Sequence, residues 1–96
     1  MELNTLFYKV RGAIFAVFNE LGPRLLESVD ETALCYELNN RGLFTKSQVG
    51  VPITYKEVQL DLGFKIDLLV EDKIIIEIKS IEALHKVRKK NNSLLF

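Results

Sequence analysis

The spacing of apolar residues changes from a helical to a strand period midway along this chain, and that change decides what it can fold into. Between residues 3 and 38 the large apolar side chains recur at steps of three and four, the period of a helix with one buried face. From residue 48 to residue 78 they recur at steps of two, the period of a strand with one buried face. A chain that makes this switch lays helices against an antiparallel sheet, an α/β domain of the α+β type. At 96 residues it forms a single domain spanning 1–96.

Leu3, Leu6, Phe7, Val10, Ile14, Val17, Phe18 and Leu21 predict a first helix, ended by Gly22-Pro23. Leu26, Val29, Ala33 and Tyr36 predict one face of a second helix, with Leu34 and Leu38 beside it. Ser28 to Glu31 fit a capping box at its start, and residues 39–42 (NNRG) close it. Val49, Val51, Ile53 and Tyr55 then alternate with polar or small residues. Pro52 places this strand at an edge or interrupts it. Next, Val58, Leu60, Leu62, Phe64, Ile66, Leu68 and Val70 occupy only even positions, in one strand bent at Gly63. A third strand carries Ile74, Ile76 and Ile78 on even positions, with Glu77 and Lys79 on odd ones. A weaker helical pattern runs through Ile81, Leu84, Val87, Asn91 and Leu94.

Turn length then decides which residues meet. A two-residue turn at Lys56-Glu57 pairs Tyr55 with Val58 and Ile53 with Leu60, so both apolar sets share a face. A three-residue turn at Glu71-Asp72-Lys73 pairs Val70 with Ile74 and sets Asp67 opposite Glu77, with Lys79 farther along the same face. A slip of one residue would mix isoleucines with charges. Cross-strand neighbours stand about 5 Å apart at Cβ, so two carboxylates meet on the face that the helices leave open.

Two facing carboxylates offer hard oxygen donors to Mg²⁺ or Mn²⁺. A lysine beside them can orient water and stabilise charge developing on a phosphate. The competing explanation is a solvated strand face on which Lys79 merely neutralises Glu77 or Asp67. Glu27, read from the residues alone, favours a helix N-terminus electrostatically.

Asp67, followed on the neighbouring strand by Glu77-Ile78-Lys79, resembles the PD-(D/E)XK nuclease signature. The stretches LGPRLLESVDETALCYELNNRGL and VPITYKEVQLDLGFKIDLLVEDKIIIEIKSIEAL resemble the bacterial GxxExxY proteins of that superfamily, over about residues 10 to 84. The resemblance implies a restriction-endonuclease-like core. It implies Asp67, Glu77 and the Ile78 carbonyl as ligands of Mg²⁺ or Mn²⁺, with Lys79 as the water-orienting group and Glu27 as a further acid. The expected activity is hydrolysis of DNA phosphodiesters. The alternative is an inactive module that keeps the fold for nucleic-acid or protein binding.

This chain also departs from that pattern. Arg24 and Asp30 replace the glycine and tyrosine that bracket the namesake motif, and Phe18 stands where the family commonly has histidine. Asn91 and Leu95 replace the expected glutamine and tyrosine. The chain stops where relatives usually continue into another strand and helix. That leads to the expectation of an open sheet edge and a homo-oligomer built on it.

Charge refines the picture. Basic and acidic residues balance at 13 each, which excludes a global attraction to nucleic acid. Locally, Lys86, Arg88, Lys89 and Lys90 face only Glu82, leaving residues 80–96 at +3 and residues 1–79 at −3. Those four cations are the candidate phosphate contacts. No apolar tract reaches the roughly 18 residues of a membrane span, and no cleavable signal is apparent. The single cysteine, Cys35, cannot form an internal bridge, and the expected location is cytoplasmic. Cys35 reads as a core thiol, His85 as a surface residue, and Tyr8, Tyr36 and Tyr55 as core or interface.

Overall fold

The structure, a computed structural model, describes residues 1–22, 26–60 and 63–81. Helix α1 (Leu3–Leu21) and helix α2 (Glu27–Asn40) precede five strands: β1 (Thr45–Gly50), β2 (Ile53–Tyr55), β3 (Val58–Leu60), β4 (Lys65–Val70) and β5 (Ile74–Ile76). A helical turn over 78–81 follows. The arrangement is mixed α and β, consistent with a restriction-endonuclease-like fold. No helix among the described residues is long and apolar enough to cross a membrane.

α1 buries Leu6, Val10, Ala13, Ile14, Val17 and Phe18, which line one side of the helix. Leu3 and Phe7, expected on that side, remain about half exposed. α2 is rotated from its expected orientation: it buries Asp30, Leu34 and Leu38, while Leu26, Val29 and Tyr36 face outward. Nor is there a capping box. Helix α2 starts at Glu27 after Leu26, which makes no side-chain cap bond, and Ser28 lies inside the helix. Its C-terminus ends as residues 39–42 imply. Gly42 takes φ +86°, and the Leu43 N–H bonds back to the Leu38 carbonyl at 3.0 Å. That back-bonded turn seats Leu43 in the core.

β1, β4 and β5 form one antiparallel sheet in that order, so β4 is central. In the second hairpin Val70 pairs with Ile74 and Leu68 with Ile76, the register that even-numbered burial demands. Leu68, Val70, Ile74 and Ile76 are buried in the core shared with α1 and α2. α2 packs on β1 and β4. Asn39 pins the junction: its Oδ1 accepts the Thr45 N–H at 2.9 Å, and its Nδ2 donates to the Thr45 carbonyl at 3.2 Å.

The long even-numbered strand expected over 58–70 is two strands with different partners. β3 pairs with β2 in a separate two-stranded sheet, Ile53 with Leu60 and Tyr55 with Val58. Lys56 and Glu57 take φ of 48° and 66°, the doubly left-handed turn suited to a two-residue hairpin loop. Gly63 also takes a positive φ, +62°, ahead of β4. Val58 and Phe64 are exposed, so the buried face continues only within β4 and β5.

Candidate nuclease site

Asp67 lies on the central strand, half-buried and on the side away from Leu68. Its neighbours on β1 are set by the pairs Ser47–Leu68 and Val49–Ile66, which leave Gln48 and Asp67 facing each other without a ladder pair. Gln48 takes φ 53°, a conformation rare for a residue with a side chain. Its Nε2 donates to both carboxylate oxygens of Glu31 on α2, at 3.0 and 3.1 Å. The interruption beside Asp67 therefore ties β1 to α2.

On its other side, Asp67 reaches past the end of the ladder. Strand β5 stops at Ile76, and Ile78 opens a helical turn instead of pairing with Ile66. The Ile78 N–H donates to Asp67 Oδ2 at 2.9 Å. A carboxylate accepting an N–H at the start of a helical turn neutralises one of its orphan donors. Asp67 Oδ1 makes no hydrogen bond among the described residues.

Glu77 is the residue between the strand and that turn. It is exposed, its Oε1 accepts the Ser80 hydroxyl at 3.0 Å, and its carbonyl accepts the Ile81 N–H at 3.2 Å. Lys79 is exposed and makes no ion pair among the described residues. It sits in the helical turn, where the sequence placed it on a strand. The Ile78 side chain is buried, which anchors the Glu-Ile-Lys segment to the core. Glu27 is the first residue of α2 and exposed. Among the described residues no three His, Cys, Asp or Glu side chains are grouped closely enough to hold a metal between them. The structure therefore links Asp67 to the Glu77–Lys79 segment through the backbone and does not gather Glu27 into a three-acid cluster with them. Arg24, His85, Lys86, Arg88, Lys89, Lys90, Asn91 and Leu95 lie outside the described residues.

Two further residues take conformations or positions that their residue types do not announce. Gln48 had looked like an ordinary polar position of an alternating strand. Asp30 is buried to 1 % exposure, and its Oδ1 has no hydrogen-bond partner among the described residues. Its spacing of four and eight from Leu34 and Leu38 was the available signal. Near the far end of α2, Cys35 is half-buried, not a full core thiol. Its Sγ lies 3.9 Å from the Thr45 carbonyl oxygen. Burial, and then the Glu31 carboxylate, push its thiol above the ordinary value of 9.0, against a smaller lowering by the Asn39 hydrogen bond. Tyr8, Tyr36 and Tyr55 are exposed, which removes them from the core.

Among the described residues, α2 packs on β1 and β4 over the core that holds Leu68, and Asp67 lies on the opposite side of the central strand. A family model of the PD-(D/E)XK nuclease superfamily matches residues 4–92, nearly the whole chain, and the chain belongs to that superfamily. No curated protein and no solved structure matches it at a significant level.

Proposed function

We propose that this domain is a metal-dependent nuclease of the GxxExxY type that hydrolyses DNA phosphodiester bonds. The observation that carries this reading is the 2.9 Å bond from the Ile78 N–H to Asp67. It holds the acid of one strand against the Glu-Ile-Lys segment that ends the next. The donor set fits a hard divalent ion. Mg²⁺ takes one or two carboxylates and keeps several waters, so Asp67 Oδ1, Glu77 and the Ile78 carbonyl suffice without a third acid. Mn²⁺ suits the same oxygens. When bound, the ion supplies charge at the phosphate and an acidified water.

The chain's own residues supply the rest. Lys79, uncommitted to any acid among the described residues, orients the attacking water and stabilises charge on the phosphate oxygens. Glu27 provides a further acid from the helical layer. Lys86, Arg88, Lys89 and Lys90 hold the DNA backbone through its phosphates. The test is Mg²⁺- or Mn²⁺-dependent cleavage of plasmid and linear DNA by wild type, Asp67→Ala and Lys79→Ala. Cleavage that survives both substitutions overturns the assignment.

A second reading, a fold retained for binding without cleavage, is favoured by one observation. Asp30, where the GxxExxY pattern has tyrosine, is a buried carboxylate with one oxygen unpartnered among the described residues, in the same helix as Glu27. Calorimetry separates the two readings: salt-sensitive DNA binding without Mn²⁺ binding supports the second. A cytoplasmic location accords with either reading.

A further inference from the structure

We propose that β5 is a homodimer seam, its Ile74–Ile76 edge pairing antiparallel with the same edge of a second copy about a two-fold axis through Ile75. β5 ends the sheet order β1-β4-β5, and its outer edge has no strand partner among the described residues. Exposed strand edges are normally blunted by lysine, proline or a bulge, and Ile74–Ile76 carries none of these. Ile75 is 64 % exposed and Phe7, on α1, 48 % exposed. Phe7, Val10 and Ile14 of α1 line an apolar groove of about 380 Å³ along β5. The outer edge of β5 is thus apolar and extended, with no strand paired to it among the described residues.

Charge selects the partner and the register. In an antiparallel pair the residues directly opposite one another point to the same face. With Ile75 opposite Ile75 of the partner subunit, Ile74 meets the partner's Ile76, and Lys73 meets the partner's Glu77. Buried faces match, both α1 helices lie on one side of the joined sheet, and two opposite-charge pairs form symmetrically. With the axis at Ile74 or Ile76, neither Lys73 nor Glu77 stands opposite a charge of the other sign, and axes between residues mix the buried and open faces. Only the register through Ile75 is self-complementary, which is what a second copy of this chain offers and an unrelated strand does not. The pairing places the partner's Lys73 beside Glu77, so each candidate site gains one cation from the other subunit. The dimer itself does not rest on the nuclease reading.

Sedimentation equilibrium of wild type, Lys73→Glu, Glu77→Lys and the double variant tests the register as a double-mutant cycle. Wild type is expected to be dimeric, each single charge reversal to weaken the dimer about tenfold, and the charge swap to recover most of that loss. Ile75→Lys, at an exposed position, is expected to give a monomer with an unchanged circular dichroism spectrum. A monomeric wild type, a dimer indifferent to either reversal, or a double variant no tighter than the singles overturns the proposal.

Discussion

Asp67 Oδ2 accepts the backbone N–H of Ile78 at 2.9 Å, so the central strand and the segment after β5 are joined by a side chain where their ladder has already ended. A hydrogen bond to an ionised acceptor is stronger than a neutral one. Asp67→Ala is therefore expected to lose about 1–2 kcal/mol of stability as well as cleavage. Urea unfolding followed by the plasmid assay checks both losses. Unchanged stability would show that the contact is not formed in solution.

Lys79 separates chemistry from folding. It is exposed and unpaired among the described residues, so Lys79→Met should change stability by no more than about 0.5 kcal/mol. Cleavage should nonetheless fall by about a hundredfold or more, the loss typical of removing one stabiliser of developing charge. Thermal unfolding and initial cleavage rates on the same preparation give the comparison.

Asp30 makes the opposite kind of prediction. A carboxylate oxygen buried without a partner costs free energy, and Leu34 and Leu38 already continue its line into the core. Asp30→Leu is expected to raise stability by about 1 kcal/mol. A lowered urea midpoint would mean that the carboxylate has a favourable partner in solution.

The raised Cys35 thiol gives a pH-dependent test. The folded state holds the thiol proton to higher pH than the unfolded chain does. Its stabilising contribution is therefore complete below the unfolded value near 9.0 and is lost as pH rises through the higher folded value. Alkylation by iodoacetamide at pH 8 should be slower than for a free cysteine. Glu31→Gln, which removes a raising charge, should speed it. Equal rates for both variants would discount the Glu31 effect.

How much of this was legible in the sequence depended on whether burial constrained the residue. The β4–β5 register followed from Leu68, Val70, Ile74 and Ile76, because one buried face leaves no freedom to slip. The Lys56-Glu57 turn followed for the same reason, although neither residue is glycine or asparagine. Alternation says which face a residue occupies but not which strand it pairs with, so the break between β3 and β4 was hidden behind an unbroken even-numbered pattern. The face of α2 was misjudged because Asp30 occupies a position that composition assigns to an apolar residue. Ile78 kept its buried position while its backbone left the strand, a change of conformation that a period-two pattern cannot register. The positive φ of Gln48 left no mark in residue type at all.

The pairing of Gly50 with Lys65 closes the main sheet before the chain enters β2 and β3. From there, Val51 donates to the Phe64 carbonyl at 3.0 Å, and the intervening chain forms a hairpin nested inside a hairpin. Among the described residues between these two, none belongs to the buried core. The nested arm is therefore an appendage whose length and composition can drift while the domain beneath it stays intact.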